Sequence, residues 1–266
     1  MDSGQILLLL LISGLISGVI PQSILKYSPE NEIQTYLELI PNNRKVLRDD
    51  FLFCKSWMFT VEANDANPWE QVPARCTVFV KDYLTGDQYV SDSGLVANNS
   101  IAFAKTVDIA GDGKDIWIFD IDETLLSNLP YYAVHGFGTE LFDETAFNEW
   151  ADLGESPALP ASLRLYNELH RLGFTIFLLT GRDEHQRNAT VKNLISAGYH
   201  EWERLILRGP SDHGKTAVIY KSEKRMELKA EGYRIHGNSG DQWSDLYGSP
   251  IATRSFKLPN PMYYIA

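Results

Sequence analysis

The hydrophobic pattern of the chain changes period as it advances, and each change marks an element. From Val72 to Val107, apolar residues including Val78, Phe79, Tyr83, Val90, Leu95, Ile101 and Phe103 recur at mixed helical spacing, punctuated by Gly86 and Gly94, which predicts helices. Ile116, Trp117, Ile118 and Phe119 then form a continuous β-branched and aromatic run, the pattern of a strand buried on both faces of a parallel sheet. Asp143 to Asp152 reads as a short helix. Leu159 to Leu172 reads as a longer one, with Pro160 at its start, Leu163, Tyr166, Leu169 and Leu172 on one face, and Gly173 at its end. Phe174 to Leu179 is the next strand, Glu184 to Ala197 a helix closed by Gly198, and Arg204 to Leu207 a further strand. A helix carrying Lys221 follows, and Gly232 leads into a strand over Tyr233 to His236.

Repeated strand, helix, strand units predict an α/β fold with a doubly wound parallel sheet, a Rossmann-type core. The expected organisation is an N-terminal helical subdomain over 22–109, a core over 110–266, and a small helical cap at about 129–158. Within that cap Leu129, Pro130, Tyr131, Tyr132, His135 and Gly136 are too aromatic for a simple solvent loop; they either wall a pocket or pack the subdomain.

Ile6 to Ile20 is a leucine-rich block broken only by Ser and Gly and closed by Pro21, which predicts a secretory signal over 1–21. Asp2 departs from the usual positive start, and an uncleaved anchor is the alternative. Residues 23 to 50 are polar, with an Asn-Asn break at Asn42, and are expected to wrap the surface. Cys54 and Cys76 are the only cysteines; without Cys-x-x-Cys or clustered His they do not suggest zinc, and in an oxidising lumen they either pair or stay as buried thiols. Asn98-Asn99-Ser100 and Asn188-Ala189-Thr190 are glycosylation acceptors by pattern.

Charge narrows the partners. With 24 Lys+Arg against 35 Asp+Glu the net charge is −11, which argues against a general nucleic-acid binder and requires locally placed cations or a metal to hold a phosphate. The candidate chemistry lies at strand ends, where α/β sheets bind ligands. Asp120 and Asp122 terminate the first strand. Thr180-Gly181-Arg182-Asp183 follows the second, a hydroxyl and backbone amides suited to a phosphate oxygen, with Asp183 as a helix cap. Gly240-Asp241-Gln242-Trp243-Ser244-Asp245 follows the last, a tight loop that presents Asp241, and Asp245 behind it, to a cation. Gly209 to Thr216 matches the letters of a nucleotide P-loop, but Pro210 removes an amide from a loop that works by donating amides.

In that order, Asp120-x-Asp122-x-Thr124, Thr180, Lys221 and Gly240-Asp241-x-x-x-Asp245 resemble the haloacid dehalogenase (HAD) superfamily of phosphotransferases. The longer words Trp117 to Asn128, Leu179-Thr-Gly-Arg182, Tyr220-Lys-Ser-Glu-Lys-Arg225, Gly240 to Asp245 and Phe256 to Tyr264 resemble the plant acid phosphatase and vegetative storage protein family within it, of class IIIB type. The resemblance implies a HAD-like fold, Asp120 as nucleophile, and Asp122 as proton donor and later acceptor. It also implies that Thr180, Gly181 and Lys221 hold phosphate oxygens, with Lys215 as the competitor of Lys221. Mg²⁺ would be bound by Asp120, the Asp122 main-chain carbonyl and Asp241, with Asp245 in support. Acid catalysis by Asp122 requires its protonated form, which neighbouring carboxylates would favour by raising its pKa.

Two readings from different classes follow. The first is a Mg²⁺-dependent acid phosphatase acting on small phosphomonoesters; the second is a storage protein, a nutrient reservoir with vestigial catalysis. Retention of Asp120 and the other implied positions favours the enzyme. A P-loop nucleotidase using Lys215 is a third. The signal implies the secretory pathway, with an extracellular or vacuolar destination and no stable membrane association after its removal; the resemblance suggests a homodimer.

Overall fold

In the computed structural model, residues 50–66 and 68–266 are described; the expected signal over 1–21 and the polar stretch up to residue 49 lie outside them. Three helices come first: α1 (Asp50–Glu62), α2 (Thr77–Thr85) and α3 (Asp87–Ala104). The central strand β1 (Asp115–Phe119) leads through α4 (Leu129–Val134), α5 (Glu144–Leu153) and α6 (Pro160–Leu172) to β2 (Thr175–Asp183). Then follow α7 (Arg187–Ser196), β3 (Arg204–Arg208), α8 (Ala217–Ala230), β4 (Arg234–Gly240), the short α9 (Trp243–Leu246) and β5 (Arg254–Lys257). The sheet order is β3-β2-β1-β4-β5, parallel throughout. The chain therefore builds outward from β1 in one direction and then in the other, and the crevice for a ligand lies where that direction reverses, beside β1 and β4.

β1 is buried along its whole length because both faces are covered. Trp117 and Phe119 enter one layer with Ala97 and Ala104 of α3 and Leu165, Tyr166 and Leu169 of α6. Ile116 and Ile118 enter the opposite layer with Tyr220 and Leu228 of α8. This alternation is the period-2 geometry of a strand, and it explains why the run has no polar position. The indole of Trp117 stacks on Phe256 with centroids 5.3 Å apart and donates from Nε1 to Ser239 Oγ at 3.0 Å. It lies so close to β4 that a Cβ on Gly237 would sit 2.2 Å from the ring, so only glycine fits there.

The N-terminal helices divide between two cores. Ala97 and Ala104 of α3 belong to the layer over the sheet, whereas Tyr89 near its start, Cys54 of α1 and Val80 of α2 join Tyr131, Tyr132, Phe137, Leu258 and Met262 in a separate cluster. Cys54 and Cys76 are disulfide-bonded, resolving the choice between a bridge and free thiols. Among the elements weakly marked in the sequence are α1, whose inward face of Cys54, Trp57, Met58 and Val61 is blurred by the exposed Phe51, Leu52 and Phe59, and β5, with a single apolar residue in four positions. β2 runs to Asp183, beyond the expected end at Leu179, because Asp183 still pairs with Arg208 of β3.

Opposite the candidate site, Asp115 accepts from Arg234 Nε at 2.6 Å, the Ala110 N–H at 2.7 Å and His236 Nε2 at 2.8 Å. The Arg234 hydrogen bond leads in holding its pKa below the ordinary carboxylate value. A depressed pKa stabilises the fold above the unfolded value of about 3.9 and loses that contribution as pH falls. Asp115→Asn should therefore lower the unfolding midpoint at neutral pH, with the gap to wild type closing below about pH 4. Replacing both cysteines by Ser should remove about 3 kcal/mol and lower Tm by about 6–12 °C in a thermal scan.

Candidate active site

β1 ends at Phe119, so Asp120 stands on the carboxyl edge of the sheet with its N–H still bonded to Ser239 O of β4 at 2.9 Å. The chain then folds back on itself. The N–H groups of Leu125 and Leu126 both donate to Ile121 O, and Glu123 takes a left-handed conformation at φ 52°. That conformation is rare for a non-glycine residue. The buried Glu123 carboxylate is held by the Asn128 N–H at 2.5 Å, Asn128 Nδ2 at 3.1 Å and the Tyr263 hydroxyl at 3.2 Å. The turn thus sends Asp120, Asp122 and Glu123 in different directions from one strand end.

Lys221 reaches this edge from α8. Its Nζ lies 2.5 Å from Asp120 Oδ1 and 2.5 Å from Asp245 Oδ1, with all three side chains buried. Burial works against the ammonium, but the Asp120 and Asp245 carboxylates outweigh it and hold the lysine pKa above its ordinary value. Burial raises the Asp120 pKa well above the usual range, and the charges of Asp245, Asp241 and Asp122 add to it against the opposing effect of Lys221. Asp241 is pushed up to about 6, by burial first and by Asp245 second.

Oxygens of Asp120, Asp241 and Asp245 all lie within 4.8 Å of one another, the one such cluster among the described residues. A set of carboxylate oxygens with no nitrogen or sulfur suits a hard cation. The three acids are not equally available. Asp245 Oδ1 takes Lys221 and its Oδ2 takes the Gln242 N–H at 2.9 Å. Asp241 is oriented through Oδ2 by Gln242 Nε2 and Asn260 Nδ2, each at 2.7 Å, and its Oδ1 has only Thr124 Oγ1 at 3.3 Å. Gly240 permits this crowding, since a Cβ there would lie 2.4 Å from the Asp245 side chain.

Asp122 sits apart from the cluster and differs from the expectation that neighbouring carboxylates raise its pKa. It is gripped by Arg182, with Nη2 at 2.7 Å from Oδ1 and Nε at 3.0 Å from Oδ2, and by Asn128 Nδ2 at 2.8 Å from Oδ1. Burial alone would raise its pKa, but the Arg182 charge and hydrogen bonds, with Asn128, bring it below the usual value. The carboxylates instead raise Asp120 and Asp241. Neither Arg182 nor Asn128 was assigned a role from sequence. Arg182 lay next to Thr180-Gly181 at a strand end and could have been included; nothing in the local pattern marks Asn128.

A cavity of about 370 Å³ opens over these groups. Asp120, Asp122, Lys221, Asp241 and Asp245 form its floor, and Tyr132, Phe147 and Tyr263 are among its apolar walls. Gly181 lines it, whereas Thr180 is fully buried beneath, its Oγ1 accepting from the Arg182 N–H at 3.1 Å, which leaves the hydroxyl hydrogen free to donate. Lys215 stands outside the lining, paired with Asp212 at 2.9 Å and Glu223 at 2.5 Å. The P-loop letters there fold as a short turn over Pro210–Asp212. Asp183 caps the next turn reciprocally with Gln186. Asn98 and Asn188 are exposed on α3 and α7, away from the cavity lining.

A buried acidic cluster offset only in part by one lysine, at the switch point of a parallel sheet, fits the phosphotransfer enzymes of the haloacid dehalogenase type. The chain belongs to the HAD superfamily, subfamily IIIB (acid phosphatase), which matches residues 44–266. It is 54% identical over 227 residues to Acid phosphatase 1 of Solanum lycopersicum, covering 85% of this chain and 89% of that protein. It is 39% identical over 260 residues to Vegetative storage protein 2 of Arabidopsis thaliana, covering 97% of each. The fold is similar to the solved Class C acid phosphatase from Bacillus anthracis, with a TM-score of 0.60 at 23% identity over 71% of this chain and 85% of that one.

Removing Arg182 would leave Asp122 as a buried, uncompensated charge. Arg182→Met should cost about 3 kcal/mol in denaturant unfolding, and adding Asp122→Asn should restore part of that loss, a coupling that a double-mutant cycle would read directly.

Proposed function

We propose that this chain hydrolyses small phosphate monoesters through an aspartyl-phosphate on Asp120. The observation that carries the reading is Asp120 at the carboxyl edge of β1, with Lys221 Nζ at 2.5 Å and the Asp241 and Asp245 carboxylates beside it. An Asp120 oxygen attacks phosphorus as the bond to the leaving oxygen breaks, and Asp122, protonated once the phosphate dianion is bound beside it and offsets Arg182, gives its proton to that oxygen, releasing an alcohol. Water then attacks phosphorus as the bond to the Asp120 oxygen breaks, Asp122 takes the proton from the water, and inorganic phosphate leaves with Asp120 restored as a carboxylate. Lys221, the Gly181 backbone and the Thr180 hydroxyl serve the non-bridging oxygens.

A carboxylate approaching a phosphate dianion meets like-charge repulsion, and one lysine does not balance it. Mg²⁺ is the cation we assign, held by Asp120, the Asp122 main-chain carbonyl and Asp241 with Asp245 in support, where it would neutralise charge on the attacking and phosphate oxygens. We further assign the chain to the secretory route, to an extracellular or vacuolar destination. The disulfide and the exposed side chains of Asn98 and Asn188 support that address. Among the described residues no helix is long and apolar enough to cross a membrane.

The storage reading draws on the near full-length similarity to Vegetative storage protein 2, and the same experiment separates it from catalysis. Purified protein is assayed on an aryl phosphate in acidic buffer with Mg²⁺, with chelator, and beside Asp120→Asn. We expect turnover that chelation abolishes and Mg²⁺ restores, and a loss of at least about 10³-fold in the variant. Folded wild type as inert as Asp120→Asn would leave the reservoir role in its place.

A further inference from the structure

The side chain of Asn128 is completely buried, and each of its hydrogen-bonding positions is used. An asparagine amide offers two N–H donors and a carbonyl oxygen with two lone pairs. Here Nδ2 donates to Asp122 Oδ1 at 2.8 Å and to Glu123 Oε2 at 3.1 Å. Oδ1 accepts from Trp150 Nε1 at 2.9 Å and from Ser156 Oγ at 2.9 Å. The indole fixes which end is which, because its N–H can only donate. A flipped amide would set its N–H groups against that indole.

Both outer partners belong to the segment over the cavity. Trp150 is on α5, and Ser156 follows it, pinned to α7 by Asn193 through bonds of 3.1 Å and 2.7 Å. The effect converges on one atom of Asp122. Its Oδ1 accepts from Asn128 Nδ2 at 2.8 Å and from Arg182 Nη2 at 2.7 Å, with Arg182 Nε also at 3.3 Å, whereas Oδ2 has only the shorter Arg182 Nε bond at 3.0 Å. An oxygen saturated by two N–H donors cannot also carry a hydrogen; the other can.

We propose that Asn128 is a positioning residue that commits Oδ1 of Asp122 and leaves Oδ2 as the oxygen that serves the leaving group, and that Trp150 sets the amide for this task from α5. The proposal rests on the acid and base role given to Asp122 above. In the forward step the Oδ2–H bond breaks, the proton joins the leaving oxygen, and Asp122 is left as a carboxylate. The consequence is selective. A leaving group that departs readily as an anion needs little proton donation, and an alkoxide needs much.

The test is kcat/KM, which reports the step that expels the leaving group, on nitrophenyl, phenyl and simple alkyl phosphates for wild type, Asn128→Ala, Trp150→Phe, Asp122→Asn and Asp120→Asn. Asn128→Ala should lose about 100-fold on alkyl phosphates and under about 3-fold on nitrophenyl phosphate, a steeper dependence on leaving-group basicity that Asp122→Asn shares. Trp150→Phe keeps the ring and removes one N–H; it should show the same selectivity at about 5-fold, and it serves if Asn128→Ala does not fold. Equal losses across all leaving groups in Asn128→Ala and Trp150→Phe, or no loss, with Asp122→Asn still selective, would overturn the positioning role and leave the phosphatase reading standing. If Asp120→Asn keeps full activity, it is that parent reading that fails.

Discussion

Five carboxylates, those of Asp120, Asp122, Glu123, Asp241 and Asp245, converge at the carboxyl edge of one sheet, and four of them are nearly excluded from solvent while Asp122 retains slight exposure. Charges of one sign cannot be gathered in a poorly solvated place unless each finds compensation. Two cations touch them directly. Lys221 bridges Asp120 and Asp245, and Arg182 takes Asp122 in a bidentate grip. Among the described residues Glu123 meets no cation and relies on neutral donors, and its pKa is raised well above the usual value by burial and by the charges of Asp241 and Asp122. The residual repulsion among Asp120, Asp241 and Asp245 is what makes the place attractive to a cation.

That constraint explains how neighbouring segments are used. Asp241 is steered by Asn260, and Gln242 holds the Tyr263 carbonyl and accepts from the Ile265 N–H, so residues far beyond the sheet form part of the wall. Glu62 at the end of α1 takes Lys257 and the Asn260 N–H, which anchors that same segment from the other side. The N-terminal helices therefore act on the site through packing and through the segment they hold, with no side chain on its floor.

Much of this was legible in the sequence, for reasons that differ by residue. The run Ile116 to Phe119 announced a doubly covered strand, and a strand that stops at two acids locates a ligand edge. Lys221 could be preferred to Lys215 only through the resemblance, because both are lysines near the start of one helix; geometry separates them by the acids each one meets. Asn128 and Glu123 were invisible as site residues, since their importance comes from turning back under Asp122, a matter of backbone conformation with no compositional mark. The environment of Asp122 was misjudged for a related reason: proximity in sequence to Asp120 suggested acidic neighbours, whereas the turn points its carboxylate to Arg182. β5 escaped notice because it is fixed by what it packs against, and α1 because apolar residues on its exposed side blur the face it buries.

The ion pair between Asp120 and Lys221 joins residues 101 positions apart, and Asp122 and Arg182 are separated by 60. While the chain is open, water solvates these acids and their separation costs nothing. Desolvation begins only when β2, α8 and β4 close round β1, and the compensating cations arrive on two of those same elements. Burial of the acids and delivery of their partners are thus one event, and a sheet assembled without α8 in place would have to keep its central edge wet. Long-range closure of this kind slows folding relative to local contacts. It also makes the assembly of the core and the completion of the reactive edge a single cooperative step.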